Sequence, residues 1–384
     1  MLRYLTSGES HGPELLGIID GLPAGVDLAK DAISRELARR QKGHGRGGRM
    51  KIESDTSRVV SGVRWGKTTG APVGLVIQNR DWENWKERMS PDASDFGKAD
   101  AVTRPRPGHA DLTGMVKYAH EDARNVLERA SARETAMRVA VGAVAKALLA
   151  PFGISVLSWV IEIGGIRAEL KGRPETLFKR AESSPVRCPD EGASGNMMEI
   201  IDRAKKEGDS LGGIFEVMVI GCPPGLGTFA SRDITLDGML AGAIMSIQAI
   251  KGVEIGMGFQ AARRPGSVVH DEIFHGQKGY FRRTNNAGGI EGGMSNGGAI
   301  IIRAAMKPIP TLYKPLHSVD IKSHRAFKAS VERSDTCAVP AAAVVGEAAA
   351  AFVIAQAMRD KFGGDSLAEM KRNYDGYIEQ VREF

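Results

Sequence analysis

Two long alanine-rich segments place the strongest limit on how this chain can fold. Residues 131–149 and 340–362 carry small apolar side chains on almost every face of a helix. A helix that is apolar all round is buried on more than one side. The two segments therefore predict a pair of central helices that are covered from several directions.

Short apolar segments bounded by turn residues predict strands before and after the first of these helices. The predicted strands are residues 2–6, 15–20, 59–63, 73–78, 154–163, 214–220, 253–258 and 299–306. Residues 193–207 and 236–250 predict further helices, whereas residues 263–284 are polar and predict a loop. The chain is therefore predicted to be an α/β protein with an alanine-rich helical core.

Two pairs of similar segments indicate an internal duplication. Residues 21–26 and 221–226 both follow a strand and precede a helix, and residues 151–153 resemble residues 361–363. Their shared order favours two related halves about a pseudo-twofold axis, with chance similarity as the alternative.

The length of 384 residues suits one large domain or two ordinary ones. We predict one domain, residues 1–384, with halves of about 1–165 and 210–365. The polar segment 366–384 predicts a peripheral C-terminal helix.

Charge and cysteine content narrow the class of protein. A net charge of +6 favours an anionic partner, whether nucleic acid, a membrane surface or a phosphorylated metabolite. The three cysteines, Cys188, Cys222 and Cys337, are far apart, which is typical of a reducing compartment. The chain starts without an apolar signal core and has no apolar run of 18 residues. We therefore expect a cytoplasmic protein without a membrane span.

Residues 103–109 predict a rigid strap, because Pro105 and Pro107 fix their own φ angles and keep their neighbours extended. The strap presents Arg104, Arg106 and His109, an arrangement suited to holding an anion beside an imidazole.

Residues 129–138 predict a helix start, where Ser131 and Glu134 have the spacing of a capping box. Free amides at a helix N-terminus beside guanidinium groups form an anion site. The alternative for strap and helix start together is a surface loop with an ordinary basic cap.

Residues 39–50 combine basic side chains with glycines. This composition is typical of a solvated, mobile loop, and the functional alternative is a clamp that closes on an anion. Gly43, Gly45 and Gly48 form a GxGxxG pattern, but it follows a helix and not the strand that a dinucleotide site requires.

Residues 285–298 contain a dense glycine run, which lets backbone amides approach a planar ligand or a phosphate. Asp335 lies beside Arg333, where an ordinary salt bridge or a helix cap is the commoner explanation for an isolated aspartate.

Five segments together resemble the chorismate synthase family. They are GESHG at 8–12, RPGHAD at 106–111, RASARETAMR at 129–138, NNAGGIEGG at 285–293 and ERSDTCAVPA at 332–341. The resemblance extends from Gly8 to about Phe362. It implies an α/β fold, a β-α-β sandwich with helices packed between sheets, and a homotetramer.

The resemblance also implies an activity. The family members are lyases that convert 5-enolpyruvylshikimate 3-phosphate to chorismate and phosphate, the last common step toward the aromatic amino acids. This 1,4-anti elimination needs reduced FMN but involves no net redox change. No metal is implied, and since no segment resembles a fused reductase, reduced flavin is expected from a separate flavin reductase, with NADPH as a possible reductant.

The resemblance assigns catalytic roles to His11, His109 and Asp335. His11 would donate to the leaving phosphate, and His109 would balance the charge of the reduced flavin. Asp335 would be the base that keeps the flavin nitrogen ready to take the ring hydrogen.

Fixed cations would bind the phosphate and the carboxylates of the substrate. The implied substrate-binding residues are Ser10, Arg40, Arg46, Arg106 and Arg133, of which Arg40 and Arg46 are alternatively NADP contacts. The implied FMN-binding residues are Arg129, Ala130, Ser131, Gln248, Ala249, Gly292, Lys307, Pro308, Ile309, Pro310, Thr311 and Arg333.

Two other classes compete with this prediction. A basic nucleic-acid-binding protein fits the charge, but aromatic residues make up only 6% and the arginines lie in separate segments. A conventional flavin oxidoreductase would show net oxidation of a substrate. We expect neither nucleic acid nor a membrane as a partner.

Overall fold

Two antiparallel sheets enclose the alanine-rich helices. The computed structural model describes residues 1–29, 31–47, 54–277, 279–332 and 334–384. Within this part of the chain the helices are α1 (Ala32–Gln41), α2 (Asp111–Tyr118), α3 (Arg124–Ala130), α4 (Thr135–Leu149), α5 (Pro174–Ser183), α6 (Glu191–Glu207), α7 (Leu236–Met245), α8 (Val339–Phe362) and α9 (Leu367–Glu383). The strands are β1 (Arg3–Ser7), β2 (Glu14–Asp20), β3 (Ser57–Ser61), β4 (Val63–Arg64), β5 (Lys67–Thr68), β6 (Val73–Gln78), β7 (Ser155–Ile163), β8 (Ile166–Arg167), β9 (Gly213–Ile220), β10 (Ile250–Ile255), β11 (Ile273–Gly276), β12 (Gly279–Arg282), β13 (Ile290–Glu291), β14 (Met294–Ser295), β15 (Ile300–Met306), β16 (His317–Val319) and β17 (Ala326–Lys328).

The first sheet has the strand order β1-β2-β6-β3 and the second has the order β10-β15-β9-β7-β8. In β2, alternate residues point to opposite faces, so that Leu15 and Ile19 are buried while Leu16 and Ile18 are exposed. Leu5 pairs with Ile18 across the first two strands and is also exposed. One face of the first sheet therefore covers the helices, and the other presents apolar side chains to solvent.

The two alanine-rich helices form the centre of the molecule. Strands β2 and β6 contact α4, α4 packs on α8, and α8 contacts β7 and β9. Small residues allow this close packing: a Cβ at Gly142 would overlap the Cβ of Ala348 and lie 2.6 Å from its Cα. The predicted α/β fold with helices between sheets is confirmed, whereas the division into two related halves stays a prediction.

The helical cover comes from the chain itself. By length and composition, Arg124–Phe152 and Val339–Phe362 could each cross a membrane, but 72% and 89% of their apolar windows are buried inside the molecule. Sheets and neighbouring helices thus bury both core helices.

Three local predictions need correction. Ser131 accepts a hydrogen bond from the Arg133 amide at 3.3 Å, but it starts a short 3-10 turn, and α4 begins only at Thr135. The Glu134 carboxylate accepts from Thr6, 2.9 Å away, so the reciprocal half of the capping box does not form. The predicted helix 236–250 ends at Met245, because residues 246–249 form a turn in which Ala249 has a φ of +66°, and β10 begins at Ile250. The predicted loop 263–284 contains the hairpin β11–β12.

A buried ion-pair network joins the helical layers. Glu347 of α8 is fully buried and accepts hydrogen bonds from Arg39 at 2.8 and 2.9 Å, from Ser158 at 2.6 Å and from Lys146. Burial alone would raise the pKa of Glu347, but the positive charges of Lys146 and Arg39 outweigh it and hold the pKa below its usual range. The network ties α1, α4 and β7 to α8, and it anchors the end of α1 where Arg40 follows.

The close contact between α4 and α8 yields a stability prediction. Gly142→Ala should lower the free energy of unfolding by about 1–3 kcal/mol, because the added methyl overpacks against Ala348. Gly195→Ala in α6 is the matched control: no atom lies within 4 Å of a Cβ there, so the helix should gain up to about 1 kcal/mol. Urea unfolding measures both, and a Gly142→Ala protein as stable as the parent would contradict the packing argument.

Candidate active site

A cavity of about 560 Å³ lies where the strap, the start of α4 and the start of α8 meet. A cavity of this size suits a small ligand or cofactor. The predicted site residues that line it are Ser10, His11, Arg40, Arg46, Arg106, His109, Ala130, Ser131, Arg133, Gln248, Ala249, Lys307, Ile309, Pro310, Thr311 and Asp335. Residues that the sequence places far apart thus share one cavity, while their roles stay predictions.

Other predicted residues do not line this cavity. The Arg129 side chain donates to the Thr6 and Gly8 carbonyls at 2.9 and 3.1 Å and lines a smaller cavity of about 340 Å³ instead. Gly292 lies in the turn of the hairpin β13–β14. Pro308 lies between two lining residues, and Arg333 falls outside the described residues.

His11 lies in the loop between β1 and β2 and is held on two sides. Its Nδ1 lies 3.0 Å from both carboxylate oxygens of Glu128, whose Oε2 also accepts the His11 amide at 2.8 Å. The indole of Trp85 stacks on the imidazole, with ring centroids 3.9 Å apart. Burial alone would raise the pKa of Glu128, but hydrogen bonds with His11 and Arg124 lower it.

His109 is held by a second buried carboxylate. Its Nδ1 lies 2.5 Å from Asp111 Oδ1 and 3.1 Å from Arg106 Nη2. Because a proton must lie in the shorter contact, Nδ1–H donates to Asp111 and Arg106 donates to the same carboxylate. Arg106 also donates to Thr311 at 2.9 Å. Burial would raise the pKa of Asp111, but the bonds from His109 and Arg106 hold it well below its usual range.

The back wall of the cavity carries excess positive charge. Asp55 accepts from Arg133 at 2.5 Å and lies 3.5 Å from Arg40, so one buried carboxylate faces two buried guanidinium groups. Asn79 accepts from Arg133 Nε at 2.8 Å. Burial is the main cause that lowers the pKa of Arg40 to about 10, and the charges of Arg46 and Arg133 add to it against the opposing Asp55. Such a wall favours an anionic ligand.

Asp335 contacts the basic loop. Its carboxylate accepts from Arg46 at 2.7 Å and from the Gly47 amide at 2.6 Å. The same loop also contacts α6, where His44 Nε2 lies 2.8 Å from Asp202. Of the described residues of the predicted clamp 39–50, Arg40, Arg46 and Gly47 line the cavity. Residues 48–50 lie outside the described residues.

Features beside α7 suit a planar, hydrogen-bonding ligand. Gln248 Oε1 is buried and has no hydrogen-bond partner among the described residues. Lys307 donates its amide to the Ala249 carbonyl at 2.9 Å, which joins the 307–311 segment to this position. The described part of the chain contains no group of three or more His, Cys, Asp or Glu residues that could hold a metal ion.

Sequence reasoning missed several residues of the site. Asp111 lies within one of the motifs quoted above and Glu128 lies directly before another. Since each histidine of the cavity needs a hydrogen-bond partner, both carboxylates could have been predicted as such partners. Asp55 and Asn79 are isolated in the sequence and gave no signal. Trp85 packs on His11 and also lines the cavity.

The Asp111 carboxylate yields a pH-dependent prediction. Asp111→Asn should lower the free energy of unfolding near pH 7 by about 1–3 kcal/mol, because buried hydrogen bonds are lost. Its pKa is lower in the folded protein, so the carboxylate stabilises the fold above its unfolded pKa of about 3.9. That contribution disappears as the pH falls further, and the difference from the parent should shrink.

Urea unfolding at about pH 7, 5 and 3 measures this difference. Asp233→Asn, at an exposed aspartate, is the control. A difference between the Asp111 variant and the parent that is equal at all three pH values would contradict the assignment.

Comparison with known proteins identifies the family. The family model described as Chorismate synthase matches residues 2–359. The chain is 60% identical to the chorismate synthase of Syntrophotalea carbinolica over 384 residues, covering 100% of this chain and 99% of the relative. It is 58% identical to that of Geobacter metallireducens over 393 residues, covering 100% of both chains.

A solved structure agrees with these matches. The crystal structure of a chorismate synthase superposes with a TM-score of 0.81 at 44% identity, covering 100% of this chain and 99% of the other. The chain belongs to the chorismate synthase family, the lyases that form chorismate on the shikimate pathway of aromatic amino acid biosynthesis.

Proposed function

We propose that the cavity of about 560 Å³ binds 5-enolpyruvylshikimate 3-phosphate together with reduced FMN and eliminates phosphate to give chorismate. The observation that carries this proposal is the pair of buried guanidinium groups, Arg40 and Arg133, which share one carboxylate. The substrate has two carboxylates and a phosphate, so an excess of fixed cations is what its binding requires.

Side chains from separate elements would hold the substrate. Arg40 and Arg133 form the back wall, Arg46 comes from the basic loop, and Arg106 comes from the strap. Ser10 is buried beside them and accepts a hydrogen bond from Ser131, 3.2 Å away. Exclusion of water from the cavity by the bound substrate would strengthen each of these charge interactions.

The family uses reduced flavin, and the chain's own residues fit FMN. The unpaired acceptor of Gln248 requires a donor such as a ring N–H, and Lys307 supplies a cation next to the backbone of Ile309, Pro310 and Thr311. Bound there, reduced FMN would supply a transient electron and the acceptor for the substrate's ring hydrogen, so that the reaction would have no net redox change. Ala130, Ser131 and Ala249 complete the proposed contact surface.

Two histidines and one aspartate would handle protons and charge. His11 gives a proton to the leaving phosphate oxygen, which stabilises the departing anion. His109, fixed by Asp111, lies on the strap and balances negative charge in the cavity. The Asp335 carboxylate, which contacts Arg46, is the proposed proton acceptor in the same cavity.

The supply of reduced flavin is also a proposal. We infer that a separate flavin reductase provides it, with NADPH as the electron source. Direct NADPH use would instead involve Arg40 and Arg46, which line the cavity. We place the enzyme in the cytoplasm, in line with its three cysteines, which are all free and buried.

The test is phosphate release from the enolpyruvyl substrate under anaerobic conditions, with and without dithionite-reduced FMN. We expect release only with reduced FMN and without net flavin oxidation. Stoichiometric flavin oxidation without phosphate release would favour a conventional oxidoreductase. Oligonucleotide binding with a steep salt dependence would favour a nucleic-acid-binding protein.

Asp335→Asn tests the proposed base. The amide keeps an acceptor for the Gly47 amide, so folding and flavin affinity should change little. Turnover should fall on the order of 10²–10⁴-fold and should not recover with more substrate, because the lost interaction acts in the transition state. Single-turnover absorbance with prereduced flavin measures the step. A parental rate would return Asp335 to the role of an ordinary salt-bridge partner.

We also propose a homotetramer. Its support is not the core helices, which the chain itself covers, but the exposed row of Leu5, Ile18 and Leu16 on the outer face of the first sheet. A second copy would bury this apolar row.

Ile18→Lys should therefore shift the mass measured by light scattering toward smaller species. Ile234→Lys, at an exposed apolar residue of a separate segment, should leave the mass unchanged. A parent that is monomeric at micromolar concentration would refute the tetramer.

A further inference from the structure

The strongest unassigned feature is the buried carboxylate behind His11. Glu128 is 2% exposed, lies on α3 and has no role in the function proposed above. We propose that Glu128 is a positioning residue that holds the His11 ring so that Nε2 donates the proton to the leaving phosphate. This inference rests on the proposed function and adds a residue to it.

The Glu128 carboxylate contacts both the backbone and the ring of His11. Oε2 accepts the backbone amide of His11 at 2.8 Å, and both oxygens lie 3.0 Å from Nδ1 of the ring. Because the backbone and the ring are fixed by the same group, the side-chain torsions of His11 are restricted. The contact assigns Nδ1–H to Glu128, so proton exchange with a ligand falls to Nε2.

Two neighbours hold Glu128 and the ring in place. Arg124 donates to Glu128 Oε1 at 2.9 Å, and its guanidinium lies 5.0 Å from the centroid of the Trp85 ring. Trp85 in turn stacks on His11 at an interplanar angle of 21°. The imidazole is therefore fixed at its edge by a charge and on its face by an indole.

The other histidine of the cavity has the same arrangement. Asp111 is 1% exposed, contacts His109 at Nδ1 and is itself paired with an arginine, Arg106. Both histidines of the cavity are thus held by a buried carboxylate that is itself paired with an arginine. This repetition favours a functional role for Glu128 over the alternative that it only satisfies the buried backbone amide of His11.

The proton balance follows from this geometry. The His11 imidazolium begins with protons on Nδ1 and Nε2. The Nε2 proton passes to the phosphate oxygen as the bond between that oxygen and the ring carbon of the substrate breaks. The neutral imidazole that remains keeps its Nδ1 proton, which is donated to Glu128. The carboxylate stabilises the imidazolium by its charge, whereas an amide at this position could accept the Nδ1 proton but not supply charge.

The test compares Glu128→Gln with a matched control, Glu216→Gln. Glu216 is equally buried at 3% exposure and accepts hydrogen bonds from Trp159 and Arg303, but it does not line the cavity. Anaerobic phosphate release with reduced FMN should show kcat lower on the order of 10²-fold in Glu128→Gln, with KM within about threefold of the parent. The control should keep the parental kcat. Equal kcat values in the parent and Glu128→Gln would overturn the proposal.

A double variant separates positioning from a purely structural role. If Glu128 acts through His11, adding Glu128→Gln to His11→Ala should lower kcat by less than about threefold beyond His11→Ala alone. Fully multiplicative losses would overturn the proposal. A parent that releases no phosphate refutes the proposed function itself, which is a distinct outcome.

Should Glu128→Gln fail to fold, Glu128→Asp carries the test. It keeps the charge but withdraws the carboxylate from Nδ1, so kcat should still fall at least about tenfold in a folded protein. A parental kcat in that variant would equally overturn the role.

Discussion

The ion pair between Glu347 and Arg39 is the interaction on which the rest of the structure depends. Glu347 is a fully buried carboxylate in the apolar part of α8, and it remains charged because Arg39, Lys146 and Ser158 surround it. Removing one partner of such a group leaves a buried charge without compensation. The network fixes α1 against both core helices, and the next residue of α1, Arg40, then faces the cavity in a defined orientation.

The cavity repeats this use of shared charge. Asp55 stands between two arginines, Asp111 between an arginine and a histidine, and Glu128 between a histidine and Arg124. In each case a buried carboxylate keeps a cationic side chain oriented without the mobility of a surface lysine or arginine. The carboxylates lie behind the cations, so an anion entering the cavity meets the positive groups first.

The features that could be predicted from the sequence are those that leave a periodic pattern or a motif. The two core helices were predictable because their alanines leave no polar face, and His11, Arg106, His109 and Asp335 stood in distinctive motifs. Partners without a motif, such as Asp55 and Asn79, depend on tertiary packing and carry no local signal. The end of the predicted helix 236–250 was misplaced because the chain turns at residues 246–249 and then enters β10, whose pairing with β15 leaves no local signal.

The contact between Gly142 and Ala348 also sets a dimension of the cavity. Helix α4 and the turn before it contribute Arg133 and Thr135 to the cavity, and α8 contributes Ala341 and Val345. The two walls are therefore continuations of the same pair of helices, and the gap between them is determined by how closely the helical backbones approach. The small side chains of the core therefore set the distance between α4 and α8. A leucine-rich core of equal hydrophobicity would push the two walls apart and distort the cavity, which lies within about two helical turns of this contact.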